Sequence, residues 1–219
     1  MPETLPTIAI LGGTGKEGTG LGLRWARAGY RVIIGSRGAE RAAQAAAEMN
    51  TLAGVTTVQG LENGAAVQAA EIVVLTVPPE AQMATLEGVK DLLRGKILVD
   101  ATARVDYRDP RPPQGQSSGR MAQALLGPEV RVVAAFQNVP AHALKQLETE
   151  LASDVLVCAD DAEARAAVVV LARAAGMRAY EAGGLDNALV VEGLTALIIA
   201  MNKRYKSKTG GIRISGLGV

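Results

Sequence analysis

The sequence predicts an α/β fold, a Rossmann-like doubly wound parallel sheet with a second, smaller C-terminal domain, and three observations predict it. Short apolar runs rich in Val, Ile and Leu alternate with helical stretches along most of the 219 residues, as in a parallel sheet covered on both faces. The first of these runs breaks directly into a glycine-rich turn that opens a helix. Beyond about residue 145 the alternation continues in shorter units and closes in one long apolar helix.

Thr7-Ile8-Ala9-Ile10-Leu11 reads as the first strand, and Gly12-Gly13-Thr14-Gly15-Lys16-Glu17-Gly18 as the turn into a helix from about 17 to 28. The spacing Gly13-x-Gly15-x-x-Gly18 is that of a dinucleotide-binding turn. Gly13 permits the tight turn, Gly15 lets backbone approach a pyrophosphate, and Gly18 lets the helix lie close on the strand. The helix N-terminus offers unpaired N–H groups to the anion. The second strand, 31–35, runs into Ser36-Arg37, with Arg41 one turn further on, in a helix from about 38 to 50. An NAD site usually places Asp or Glu there, but a hydroxyl and two guanidinium groups suit a 2′-phosphate. NADP(H) rather than NAD(H) is therefore expected. A Walker phosphate loop is excluded, because Gly15-Lys16 is followed by Glu17 and Ile10 stands five residues before Gly15.

Val55 to Val58 reads as the third strand, followed by a short helix near 62–70. Ile72 to Val77 is a strand ending at Pro78-Pro79, and a helix near 80–93 leads to strands at Lys96–Asp100 and Val130–Phe136. Ligands of open α/β sheets bind at the carboxyl ends of strands. The candidate walls are thus Thr76-Val77-Pro78-Pro79, Ala101-Thr102 and Asn138-Val139-Pro140-Ala141, although ordinary strand-ending turns also use Pro and Asn. Residues 107–119, dense in Pro, Gly and Ser, read as an exposed loop, either a surface insertion or a flap beside the site. Later come a strand ending at Cys158, a helix near 161–175, a strand at 178–181 and a long helix from Asn187 to about Lys203. The stripe Val190, Leu194, Leu197, Met201 on that helix is expected to pack on the sheet and on a partner subunit. Residues 1–145 would form the nucleotide domain and residues 146–219 the small C-terminal one.

Composition narrows the chemistry. With 23 Lys+Arg against 22 Asp+Glu the net charge is +1, which supplies no electrostatic case for nucleic acid. The apolar stretch Ala188 to Met201 is interrupted by Glu192 and is too short to cross a bilayer, so it reads as a buried helix and no membrane partner is expected. One cysteine, Cys158, cannot form an internal disulfide, and no signal peptide precedes the first strand; the cytoplasm is the expected compartment. Cys158 itself reads as a buried, inert thiol. A single histidine, His142, is incompatible with a multi-His zinc site. No Tyr is followed four residues later by Lys, so the short-chain dehydrogenase signature is absent. Neither a catalytic side chain nor a metal site is expected. Hydride transfer between two bound cofactors needs neither, because the cofactors carry the reactive atoms and the protein supplies orientation and water exclusion.

Several segments together, Gly12-Gly13-Thr14-Gly15, Gly35-Ser36-Arg37, Leu75-Thr76-Val77-Pro78, Cys158-Ala159-Asp160-Asp161, Ala182 to Asn187 and Gly210-Gly211-Ile212-Arg213, resemble the NADPH-dependent deazaflavin (coenzyme F420) oxidoreductases. The resemblance runs in order over nearly the whole chain. It implies a homodimer, and reversible hydride exchange between reduced F420 and NADP+. It also implies that Thr14, Ser36, Arg37 and Arg41 surround the 2′-phosphate, with Gly15, Lys16 and Glu17 along the pyrophosphate turn. Val77, Pro79 and Ala141 would lie near the nicotinamide and deazaflavin rings, and the Gly210-Gly211 backbone near the deazaflavin. The chain departs from the archaeal pattern at Pro79, where a Trp can stand, and at Ala81 and Gln137, each in place of His. The cations Lys203, Arg204, Lys206, Lys208 and Arg213 are either a landing place for the anionic tail of the deazaflavin or solvated charge at a helix end. Two other functions remain compatible with the residues: NADPH-dependent reduction of a small imine, ketone or ferric chelate, and non-catalytic sensing of NADP(H).

Overall fold

A computed structural model describes residues 5–217. The chain folds as β1 (Ile8–Leu11), α1 (Lys16–Arg27), β2 (Val32–Ser36), α2 (Ala39–Ala53), β3 (Val58–Glu62), α3 (Asn63–Gln68), β4 (Ile72–Leu75), α4 (Pro79–Glu87), β5 (Ile97–Asp100), α5 (Ser118–Leu126) and β6 (Arg131–Ala134). Then follow α6 (Ala141–Leu144), β7 (Val155–Ala159), α7 (Ala162–Ala174), β8 (Ala179–Glu181) and α8 (Ala188–Arg204). One sheet holds all eight strands in the order β3-β2-β1-β4-β5-β6-β7-β8. The first six are parallel. β7 enters antiparallel against β6, and β8 lies parallel to β7, so the expected all-parallel sheet turns mixed at that edge.

Alternation along the strands sends side chains to two cores, one per face. Ile8 and Ile10 join Trp25, Val32, Ile34 and Phe136 on one side, while Ala9 and Leu11 join Ile33, Val73, Leu75 and Leu98 on the other. Cys158 sits in this second core, and burial pushes its thiol up to about 11, as expected of an inert buried cysteine. Beyond residue 145 the chain widens the same sheet, and α1 reaches into that part. Arg24 donates to the carbonyls of Leu144, Gln146 and Ala175, and Trp25 Nε1 donates to Leu171 O at 2.9 Å.

Three elements depart from expectation. The third strand runs Val58–Glu62 rather than 55–58, because α2 extends to Ala53 and ends on Gly54 at φ +69° before β3 can pair Val32 with Val58; at a sheet edge the polar Gln59 and Glu62 are tolerated. Ser118 and Gly119 belong to α5 rather than to a loop. Ser117 caps that helix by accepting from Arg120 N at 3.1 Å, and Ala122 and Leu126 bury its inner face. The stripe on α8 points outward: Val190, Leu197 and Met201 are 64%, 53% and 51% exposed, whereas Ala188, Val191, Glu192, Thr195, Ala196 and Ile198 are buried. The inward face is chosen by the hydrogen bonds of Glu192 and Thr195 rather than by the largest apolar side chains. Together with the turn before it, α8 is long and apolar enough to match a membrane span by length and composition, yet it carries this buried carboxylate at its middle.

Candidate functional site

Connection order creates the site. The chain winds from β1 out to β2 and β3, then returns across β1 to β4, so the crevice of the sheet opens at the carboxyl ends of β1 and β4. Gly12 adopts φ +76°, which makes it, rather than Gly13, the left-handed residue of the turn. Gly18 is needed for close approach, since a Cβ there would stand 2.6 Å from Thr76 Oγ1 and 2.7 Å from Gly13 Cα. Gly15 precedes α1 with no side chain capping it, leaving first-turn N–H groups without intrahelical partners. Thr14 lies half-buried over this turn, and Gly15 and Lys16 are exposed.

At the end of β2, Ser36 is half-buried and Arg37 and Arg41 are exposed, with α2 starting uncapped at Gly38. Among the described residues neither guanidinium has a carboxylate partner. Two free cations at an uncapped helix N-terminus suit an anion with several acceptor oxygens.

On the other side of the crevice, Thr76 is already engaged. Its backbone N–H and its hydroxyl both donate to Leu11 O, at 2.9 and 3.1 Å. Val77 packs over Gly12, Pro78 is exposed, and Pro79 opens α4 half-buried. Past β6, Phe136 adopts φ +75°, an unusual geometry for a bulky side chain. Its ring is held 5.8 Å from Trp25, edge to face. The chain then turns back so that Gln137 Nε2 donates to Asp100 O at 3.1 Å and Asn138 Nδ2 to Asp154 O at 2.7 Å. Val139 is buried, Pro140 and Ala141 are half-buried, and His142 is exposed. Because β7 is antiparallel, its start lies at this same edge. Residues 210–214 run beside it, with Asp154 N donating to Ile212 O and Ile214 N to Asp154 Oδ2. A Cβ on Gly211 would strike Ser153 at 2.7 Å, so Gly210-Gly211 joins the edge near Asn138. Lys203 donates to Arg108 O and Arg213 to Glu150, while Arg204, Lys206 and Lys208 are exposed.

A buried acidic network lines the β5–β6 side. Asp100 is fully buried, accepting from Gln82 Nε2 at 2.6 Å and from Thr102 N at 3.0 Å. Glu192, reaching in from α8, is also fully buried and accepts from Ser118 N at 2.6 Å, Ser118 Oγ at 3.4 Å and Arg104 N at 3.2 Å. Burial raises the Glu192 carboxyl, and these donors oppose the rise. Arg104 also donates to the carbonyls of Gln114 and Gln116, which ties down the segment 107–117.

Seven buried side-chain polar atoms have no partner among the described residues. Four of them, Glu17 Oε1, Asn63 Oδ1, Gln137 Oε1 and Asn138 Oδ1, border the carboxyl edge, whereas the Thr102 hydroxyl stands beside the Asp100 carboxylate and helps to hold it ionised. Orphaned buried acceptors are costly in a finished protein; a row of them along an open crevice fits a polar ligand with its own donors. Sequence reasoning missed Asn63, Asp100, Gln137 as an acceptor, and Glu192. Only the last carried a usable signal, a carboxylate in the middle of an apolar helix.

Residues 7–104 match the family model of the NADP oxidoreductases described as coenzyme F420-dependent. The chain is 42% identical to the F420-dependent NADP reductase of Methanothermobacter thermautotrophicus, with 96% of this chain and 95% of the relative aligned. It is 40% identical to that of Methanocaldococcus jannaschii, over 97% and 99%. A solved structure from Arthrobacter sp. FB24, assigned as an F420-dependent NADP reductase, superposes with a TM-score of 0.81 at 26% identity, over 97% of this chain and all of that one.

Proposed function

This chain belongs to the family of coenzyme F420-dependent NADP oxidoreductases, and from that we propose that it transfers a hydride reversibly between reduced F420 and NADP+. The observation that carries the proposal is the free guanidinium pair Arg37 and Arg41 at the end of β2, in a chain whose likeness to the reductases spans nearly its full length. Thr14, Ser36, Arg37 and Arg41 hold the 2′-phosphate. The turn Gly12–Gly18 and the first N–H groups of α1 hold the pyrophosphate, and the Asn63 amide oxygen accepts from the adenine side.

The nicotinamide half then extends over Thr76, Val77, Pro78 and Pro79 toward Asn138, Val139, Pro140 and Ala141. The Thr102 and Gln137 oxygens offer acceptors to its carboxamide. F420 lies against Ala141 and the Gly210-Gly211 backbone, with Arg204, Lys206 and Lys208 near its anionic tail. When bound, the two coenzymes supply the hydride donor and acceptor atoms; the chain's residues orient the rings and keep water out. In this division, residues 1–145 bind NADP, while residues 146–219 complete the deazaflavin wall. The outward face of α8 closes a homodimer, and the compartment is the cytoplasm.

The test is direct. Mixing the protein with NADPH and oxidised F420 should bleach the visible absorbance of the deazaflavin, and NADH should do so far more slowly. Absence of bleaching with NADPH would overturn the assignment.

A further inference from the structure

We propose that the buried carboxylate of Asp154 is a positioning residue for F420: it latches residues 212–214 onto the start of β7 and so holds the Gly210-Gly211 backbone where the deazaflavin rests. The proposal depends on the F420 site put forward above. Asp154 is 1% exposed, and an aspartate is seldom enclosed without partners. Those partners show what the carboxylate holds. Among the described residues a single main-chain hydrogen bond, from Asp154 N to Ile212 O at 2.8 Å, joins the start of β7 to this segment. The side chain supplies the second, since Oδ2 accepts from Ile214 N at 2.6 Å, 60 residues away in the chain.

Arg178, just before β8, completes the latch. One of its terminal nitrogens donates to Ile214 O at 2.8 Å and to the Tyr180 hydroxyl, its Nε stands 3.5 Å from Asp154 Oδ1, and its guanidinium lies 5.5 Å from the centre of the Tyr180 ring. Both main-chain groups of Ile214 are therefore held by one ion pair. The other holds on this stretch are weaker or lie at its start. Arg213 pairs with Glu150 at the surface, where such a pair contributes little, and Asn202 Nδ2 donates to Gly210 O at 3.1 Å.

A second observation points to a ligand at this junction. Gly211 packs so closely that a Cβ on it would stand 2.7 Å from Ser153 Oγ, and that hydroxyl donates to Asn138 O at 3.5 Å. Asn138, 2% exposed, is tied by Nδ2 to the Asp154 carbonyl, which leaves its Oδ1 buried without a partner. A free acceptor beside a bare glycine backbone suits the edge of a flat ring that carries an N–H, and a deazaflavin carries one on its pyrimidine side. Removing the Asp154 side chain leaves the main-chain contact to Asn138 in place but frees residues 212–214. The Asn138 wall stays, and the Gly210-Gly211 wall moves.

Hydrogen exchange of the natural protein and of Asp154→Ala, without any coenzyme, tests the latch itself: the Ile214 amide should exchange about tenfold faster in the variant. Steady-state kinetics with F420 and NADPH tests what the latch is for. KM for F420 should rise about tenfold, with KM for NADPH and saturating turnover within about twofold of the natural values, the pattern of lost binding that ground and transition states share. Asp154→Asn keeps an oxygen for Ile214 N and should restore most of both. Arg178→Gln, at a partly exposed site, should repeat the F420 effect at smaller size, and it carries the test if Asp154→Ala does not fold. Unchanged exchange, or fast exchange with an unchanged KM for F420, would overturn the proposal. An equal rise in both KM values would do so too, by making Asp154 a residue of general stability. If the natural protein fails to bleach F420, the function proposed above falls and takes the deazaflavin role with it, whereas exchange at Ile214 still reports whether Asp154 holds the segment.

Discussion

The two ends of the crevice are built by opposite means. At the β1–β2 end, residues 12–18 and 36–41 form a local device of glycines, bare N–H groups and exposed guanidinium groups, each placed by its neighbours in sequence. At the β5–β6 end, the polar groups are buried and tied over long separations: Glu192 to Ser118 across 74 residues and to Arg104 across 88, and Gln137 to Asp100 across 37. A nucleotide phosphate can be recognised by a short motif because it is bound at the surface by charge. A ring pocket that must exclude water has to be enclosed, and enclosure draws on distant parts of the chain.

The sharpest way to break this contrast is to remove Glu192. Its loss leaves the backbone N–H groups of Ser118 and Arg104 without their acceptor, a defect that typically costs about 1–3 kcal/mol for each donor. Urea denaturation of Glu192→Ala should show that loss of stability, while surviving protein keeps its preference for NADP(H) over NAD(H). A loss of cofactor preference with unchanged stability would mean that the two ends are not independent.

Glu17, in the first turn of α1, should give the next largest effect, and with a sign. Its carboxyl sits at about 8 against an ordinary value of 4.5, so the folded protein retains a proton that the unfolded chain has released. Stability is therefore undiminished by this group below about pH 4.5 and declines as pH rises toward 8. Glu17→Gln removes that decline. It should unfold about 1–3 kcal/mol later than the natural protein at pH 8 and show no advantage at pH 4, as thermal unfolding at both values would reveal.

Arg37→Ala probes the surface end alone. A charge-assisted hydrogen bond contributes about 1.5–3 kcal/mol before exposure weakens it, so KM for NADP(H) should rise about tenfold. Turnover at saturation should hold, because the contact is made equally in ground and transition states. Steady-state kinetics with NADPH and F420 separates the two. Collapse of saturating turnover would give Arg37 a part in orienting the rings.

The same contrast explains what could be read from sequence. The glycine turn, the Ser36-Arg37 terminus and the strand–helix alternation are written in contiguous residues, and, β3 and α5 apart, their elements stand close to where spacing predicts. The antiparallel entry of β7 was illegible because an apolar strand carries no mark of direction. α5 was hidden because Pro and Gly just before Ser117 masked a cap that only its bond to Arg120 N reveals. Asp100 and Gln137 acquire meaning only when β5 and β6 lie side by side. On α8, hydrophobicity indicated the wrong face, since the buried side is fixed by one carboxylate and one hydroxyl, Glu192 and Thr195, whose Oγ1 donates to Gln137 O at 3.0 Å.

That inversion on α8 supplies the smallest expected change in stability and a larger one in assembly. Leu197 is 53% exposed between Val190 and Met201, which are also more than half exposed, so replacing it with a polar side chain removes few contacts within the subunit. Leu197→Ser should alter unfolding of the isolated chain by no more than about 0.5 kcal/mol. If the face closes a homodimer, the same change deletes a branched aliphatic group from the centre of an isologous contact, where each substitution counts twice. Light scattering across a dilution series should then find the variant dissociating at higher concentration than the natural protein. Identical dissociation of the two would leave α8 outside any interface, and its apolar ridge would join the exposed surface that most folded chains carry.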